Sequence, residues 1–270
     1  MTGKANFDFS YKNVLVFGGT SGINLGIATG FRRAGAAVAV TGRNAEKAGA
    51  AAETLMATEV LAGRGAPARA YTGDVRDLAA VEAIFEQHAA EVGPVDVLVS
   101  GAAGNFPALA NSMSSNGFKA VVDIDLLGTF HVVRTGYEHL RKPGANVISI
   151  SAPQAEVAMA MQAHVCAAKA GVDMLTRTLA IEWGAAGVRV NSVIPGPIDG
   201  TEGMARLAPS EDMRKAVNRS VPMRRMGTPD DVAQVCMFLA SDAAAYVSGA
   251  ILPADGGWLA AGARLGFGGM

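Results

Sequence analysis

Residues 18–26 read Gly18-Gly19-Thr20-Ser21-Gly22-Ile23-Asn24-Leu25-Gly26, directly behind the apolar run Val14-Leu15-Val16-Phe17. A strand that passes through glycines into a helix lets backbone N–H groups approach a pyrophosphate at the helix N-terminus, where the dipole favours an anion. Gly18, Thr20, Ser21, Gly22 and Ile23 are therefore candidate contacts to a dinucleotide, and a tight turn is the plainer alternative. Thr41-Gly42-Arg43-Asn44 closes the second apolar run. An acidic residue there would grip ribose hydroxyls and favour NAD. The guanidinium of Arg43 instead suits a 2′-phosphate, so NADPH is expected, against the alternative of a solvated arginine opening the next helix. In Gly73-Asp74-Val75, Asp74 either accepts a hydrogen bond from an adenine amine or caps a helix beginning near Asp77. Ser100-Gly101-Ala102-Ala103-Gly104 follows a fourth apolar run, and its small residues, Ala102 among them, leave room for a ribose.

These groups need elements to hold them. Short apolar, β-branched runs at 14–17, 37–41, 69–72, 95–100, 146–150, 188–194 and 250–253 alternate with helical patterns at 22–34, 45–62, 78–92, 118–140, 163–184 and 230–239. Such alternation predicts an α/β fold: a doubly wound parallel sheet of about seven strands with helices on both faces. No repeat or linker-like shift divides residues 1–270, so one domain is expected. The charged, Met-rich stretch around 199–225 interrupts the alternation, as a substrate loop inserted after the sixth strand would.

Composition narrows the function. Half the residues are apolar and 17% are charged, with a formal net charge of -1. That balance argues against nucleic acid as a partner. Cys166 and Cys236 stand far apart, without metal-ligand spacing, and a reducing compartment fits. No apolar run approaches the roughly 18 residues a membrane span needs. The polar start, Met1 to Asn6, shows no secretory signal, and Phe267-Gly268-Gly269-Met270 is not a peroxisomal address. With the alanine-rich composition, a bacterial cytoplasm is the expectation.

The second half carries Ser149-Ile150-Ser151-Ala152 at the end of the fifth strand. It continues with His164-Val165-Cys166-Ala167-Ala168-Lys169-Ala170-Gly171-Val172 on a long helix, and with Asn191 to Ile198. Together with the glycine loop, these segments resemble the short-chain dehydrogenase/reductase superfamily over nearly the whole chain. The resemblance implies a Rossmann-like fold and a catalytic Ser, Tyr and Lys, the tyrosine four positions before the lysine. Here that position is Val165. Tyr11, Tyr71, Tyr137 and Tyr246 all lie far in sequence from Ser151 and Lys169.

The missing phenol discriminates between reactions. Hydride transfer to a ketone makes an alkoxide that needs a proton at once, and a positioned general acid contributes roughly 10²–10⁴-fold, about 3–5 kcal/mol. Hydride transfer to the far end of a conjugated thioester makes a delocalised enolate instead. Hydrogen bonds can hold that anion until water protonates carbon. A site without tyrosine fits conjugate reduction better.

Ala102-Ala103-Gly104-Asn105-Phe106, Asp123-Ile124-Asp125 with Gly128-Thr129-Phe130, the helix from His164, and Pro195-Gly196-Pro197-Ile198 with Gly200-Thr201-Glu202-Gly203 resemble 2,4-dienoyl-CoA reductases. The similarity is to the peroxisomal type and its bacterial relatives. It implies an acyl-CoA substrate, with Asp125 and Lys169 orienting a proton-donating water, and a helix-capping or ion-paired carboxylate is the equal alternative for Asp125. Lys169 would also hold the nicotinamide ribose, and Ser151 would contact the thioester oxygen or merely finish its strand. Gln154 stands where mitochondrial-type relatives carry a tyrosine and could donate a hydrogen bond. His164 has a minor role at most. Pro195, Gly196, Ile198 and Thr201 would meet the cofactor. Arg206, Arg214, Lys215 and Arg219 could meet coenzyme A phosphates, although a solvated helix face explains them better.

Two departures stand out: Asn24 replaces a glycine, and Ser100-Gly101 replaces the Asn-containing pair usual before Ala-Gly. Asn tolerates left-handed geometry, so the loop need not fail. Val165, Val172, Leu175, Leu179 and Trp183 give the helix at 163–184 an apolar face, and the family pairs such helices between subunits. A homotetramer is therefore expected, with Asp255-Gly256-Gly257-Trp258 at another interface and burial against the sheet as the alternative. Two competing functions remain: reduction of another carbonyl substrate, and a catalytically silent NADP-binding scaffold.

Overall fold

The computed structural model describes residues 6–60 and 67–264. One parallel sheet holds β1 (Asn13–Phe17), β2 (Ala37–Gly42), β3 (Arg69–Thr72), β4 (Val97–Ser100), β5 (Asn146–Ile150), β6 (Arg189–Pro195) and β7 (Ile251–Ala254). Their order is β3-β2-β1-β4-β5-β6-β7. The chain thus winds outward from β1 in one direction and from β4 in the other. The switch between β1 and β4 opens a crevice at the carboxyl ends of the strands, where ligands of such sheets bind.

Strand residues alternate between the two faces. Val14 and Val16 enter one core with Ile27, Phe31 and Val232, while Leu15 and Phe17 enter the other with Phe85, Val132 and Leu179. Each such side chain, fully buried, contributes about 1.5–3 kcal/mol. Helices α1 (Gly22–Arg33), α2 (Ala45–Met56) and α9 (Pro229–Ala240) cover the first face. Helices α3 (Leu78–Glu91), α5 (Gly128–His139) and α6 (Ala163–Trp183) cover the second.

Most element ends fall within two residues of the sequence pattern, with three informative differences. The helix expected to reach 62 stops at Met56, and residues 61 and 62 lie outside the described residues, as do residues 1–5 and 267–270 of the chain ends considered above. Val95 makes only an isolated bridge to Leu140, so β4 starts at Val97. The helix expected over 118–140 is divided into α4 (Ser115–Val122), a π-helical turn at Asp123–Leu127, and α5. A π turn shifts the register of every side chain beyond it and is frequent at functional sites. Here it carries the buried Asp125.

The charged stretch after β6 folds as α7 (Glu202–Leu207) and α8 (Glu211–Ser220). Thr201 and Ser210 cap them by accepting from Met204 N and Met213 N. Among the described residues, no helix is long and apolar enough to cross a membrane. The apolar face expected between subunits is occupied within the chain: Val165, Val172, Leu179 and Trp183 are buried. Met174 and Ile181 are the large exposed apolar residues of α6, with Phe118 on α4, Leu127 on the π turn and Phe130 on α5. Trp258 likewise packs inside the chain, against Val221 and Ala263.

Candidate active site

Two cavities lie side by side along the carboxyl edge of the sheet. One, of about 600 Å³, is lined by Gly18, Thr20, Ser21, Arg43, Lys47, Asp74, Val75 and Ala102. The other, of about 460 Å³, is lined by Gly22, Ile23, Asp125, Ser151, Gln154, Lys169, Pro195 and Gly196, among others. Ser21, Asn24, Gly101, Ala103 and Glu202 border both, so the two form one cleft. A larger cavity of about 860 Å³ opens near Lys12, Asp96 and Arg189 and contains none of the expected site residues.

The first cavity is shaped for a close-lying backbone ligand. Gly18 has φ +73°, and a Cβ there would stand 2.8 Å from the backbone of Ala102, so the tight loop excludes a side chain. Arg43 has no ion-pair partner among the described residues. Asp74 is already committed: Arg76 grips both its oxygens at 2.6–3.1 Å. That side-chain pairing holds the carboxyl below the usual carboxylate range. The cap of α3 is Asp77, which accepts from Ala79 N and Ala80 N, so Asp74 does not serve as one. The Ile198 side chain is buried in the core, 3% exposed, and its backbone carbonyl accepts from the Thr201 hydroxyl at 2.9 Å.

Asn24 works differently from a residue chosen for left-handed geometry. It lies inside α1, and its Nδ2 donates to Gly18 O at 3.2 Å and Gly101 O at 2.7 Å. A Cβ at Gly101 would stand 2.4 Å from the Asn24 Oδ1. The two departures from the family pattern therefore compensate: an amide on α1 ties the glycine loop to the end of β4, and the glycine makes room for it.

In the second cavity the π turn and α6 bring two charges together. Lys169 Nζ lies 3.3 Å from Asp125 Oδ2, and both side chains are almost wholly buried. Asp125 Oδ1 accepts from Gly104 N at 2.7 Å, fixing the loop after β4. The ammonium also donates to Ile150 O at 3.0 Å. Two of its three protons are thereby directed, leaving one for the cavity. Val165, where the family places a phenol, packs with Val121 and Ala168 and lines this cavity. None of the four tyrosines replaces it. Tyr71 reaches Glu91, Tyr137 stacks near Trp183, and Tyr11 and Tyr246 are exposed.

Gln154 Nε2 donates to Gln162 Oε1 at 2.8 Å, and Asn105 Nδ2 donates to the same oxygen, forming an amide cluster at the cavity mouth. His164 is fully buried against Phe106, neither ring nitrogen has a partner among the described residues, and it does not line the cavity. Arg206 and Arg214 pair with Glu202 and Asp199, and Lys215 lies near Glu211, so these cations belong to a solvated face. The sequence reading missed Asp173, a carboxyl buried one turn beyond Lys169 on α6. Burial raises its pKa, against the lowering effects of Ser151, Ser192 and the charges of Arg177 and Lys169. The i, i+4 spacing from Lys169 was the available signal.

Residues 18–259 match a protein family described as Enoyl-(Acyl carrier protein) reductase. The chain is 41% identical over 246 residues to the peroxisomal 2,4-dienoyl-CoA reductase [(3E)-enoyl-CoA-producing] of Danio rerio, covering 90% of this chain and 80% of that protein. It is 38% identical over 252 residues to the probable 2,4-dienoyl-CoA reductase [(2E)-enoyl-CoA-producing] of Bacillus subtilis, covering 92% and 97%. Among solved structures, a short chain dehydrogenase from Bacillus anthracis superposes with a TM-score of 0.78 at 36% identity, covering 92% of this chain and 96% of that one.

Proposed function

The chain belongs to the short-chain dehydrogenase/reductase superfamily of oxidoreductases, and from that premise we propose that it reduces 2,4-dienoyl-CoA thioesters with NADPH. The observation that carries the reading is the buried Asp125–Lys169 pair facing a cavity that holds Val165 where a phenol would stand. The names of the zebrafish and Bacillus relatives support the substrate class.

The tight loop at Gly18 and the uncommitted Arg43 fit a dinucleotide with a 2′-phosphate. Gly18, Thr20, Ser21, Gly22 and Ile23 would hold the pyrophosphate, with Arg43 at the ribose phosphate, Val75 and Ala102 by the adenosine, and Pro195, Gly196 and the Ile198 backbone by the nicotinamide. When bound, this cofactor supplies a hydride. The distal carbon of the diene accepts it, and the thioester oxygen takes up the resulting negative charge. Lys169 places positive charge beside that dienolate, and Ser151 contributes its hydroxyl at the oxygen. Asp125 and Lys169 then orient a water toward the carbon next to the thioester, where charge density in the dienolate is highest, giving a 3-enoyl product. Water alone suffices as the acid because the delocalised anion is far less basic than an alkoxide.

The stretch at 199–225 closes the substrate side of the cleft as a loop insertion. The exposed apolar residues of α4, the π turn, α5 and α6 support assembly as a homotetramer. The Bacillus relative supports a bacterial cytoplasm. NADPH oxidation with 2,4-hexadienoyl-CoA tests the reading: turnover lost on Lys169→Ala supports it. NADPH binding without turnover of the dienoyl thioester overturns it in favour of a silent scaffold.

A further inference from the structure

Asp173 is 3% exposed and faces the sheet. From β6, the Ser192 hydroxyl donates to its Oδ1 at 3.0 Å. Among the described residues its Oδ2 has no hydrogen-bond partner, and neither does the hydroxyl of Ser151, which neighbours the same carboxyl. Ser151 lines the Lys169 cavity, whereas Asp173 does not. Asp173 therefore neighbours a hydroxyl that lines the cavity and is free to turn toward it.

A serine hydroxyl owns a single proton. An ionised Asp173 draws that proton to itself, and Ser151 then offers only lone pairs to the cavity. A protonated Asp173 donates to the Ser151 oxygen, which leaves the Ser151 proton free to point at a thioester oxygen. We propose that Asp173 is a positioning residue: in its protonated form it orients the Ser151 hydroxyl as a donor to the thioester oxygen. The inference rests on the dienoyl-thioester reading and adds to it a residue outside the cavity. No covalent step is involved, since the proton of Asp173 stays within the Asp173–Ser151 hydrogen bond.

The surroundings favour this form. Burial is the largest influence on Asp173 and opposes its charge. The charges acting against burial are Lys169 and Arg177, both on α6. The end of β5 and β6 present the hydroxyls of Ser151 and Ser192, and Asp125 on the π turn pairs with Lys169. Negative charge gathering on the thioester oxygen would further favour the protonated acid.

Two measurements test the proposal. The Asp173 carboxyl, followed by ¹³C NMR through its backbone connectivity, should titrate above the ordinary carboxylate range. Ser151→Ala should raise that midpoint further, because the anion loses a donor. A midpoint unmoved by Ser151→Ala overturns the proposal. In turnover of 2,4-hexadienoyl-CoA, kcat/KM should fall about tenfold per pH unit above the NMR midpoint. Asp173→Asn, whose amide can still donate to Ser151, should retain turnover within about threefold and lose that limb. A limb that survives Asp173→Asn overturns the proposal, since a merely structural carboxyl would leave it in place. Should the chain turn over no dienoyl thioester, the functional reading fails, while the NMR titration still decides whether Asp173 and Ser151 are coupled.

Discussion

The carboxylate of Asp125 and the ammonium of Lys169 stand 3.3 Å apart at 1% and 6% side-chain exposure. A buried pair of this kind adds little net stability, but removing one partner strands the other charge. Lys169→Ala should therefore cost about 3 kcal/mol in unfolding free energy. The Asp125→Ala/Lys169→Ala double variant should lose less than the sum of the singles. Urea unfolding of the four chains measures this, and additive losses would contradict a direct pairing.

Asn24 and Gly101 should behave as a compensating couple. Asn24→Gly removes two hydrogen bonds that tie the glycine loop to β4 and should weaken NADPH binding roughly tenfold. Gly101→Asn alone should clash with the Asn24 amide and do at least as much harm. The double exchange should bind better than either single variant. Calorimetric titration of NADPH into all four chains checks this, and equal or worse binding by the double exchange contradicts the couple.

Arg43→Ala should raise the KM for NADPH about 10- to 100-fold, the effect of losing a charge-assisted contact. The KM for NADH should stay near its starting value. Steady-state kinetics with both cofactors decides it, and equal losses would place Arg43 outside the 2′-phosphate site.

His88 predicts a pH dependence of stability. Burial lowers its pKa from 6.5 to about 4. The unfolded chain then binds more protons between those values, so stability is intact above pH 6.5 and declines as pH falls toward 4. The decline reaches about 3 kcal/mol at full effect. His88→Phe should remove this part of the acid limb, and denaturant unfolding at several pH values would show an unchanged limb if another group were responsible.

The strand and helix alternation made the fold legible, because buried strands and covering helices impose different apolar periods on the chain. That the glycine loop, Arg43 and Lys169 line one cleft was legible because each sits at an element end or amid small neighbours. The π turn was not. It keeps a helical apolar pattern while shifting its register, so Asp125 could equally have capped a helix or paired on the surface until the backbone placed it inside. Asn24 and Gly101 looked like separate defects, since nothing in one dimension says that residues 24 and 101 touch. Asp173 was hidden for a related reason: its partner Ser192 lies on β6 and its neighbour Ser151 just after β5, both far from it in sequence.

The destination of the hydride separates conjugate reduction from carbonyl reduction. With NADPH deuterated at the transferred position and 2,4-hexadienoyl-CoA as substrate, deuterium should appear on the distal diene carbon, C5, of an intact enoyl thioester. Deuterium on a carbon that began as a carbonyl would contradict conjugate reduction, because that outcome needs the general acid for which Val165 leaves no group.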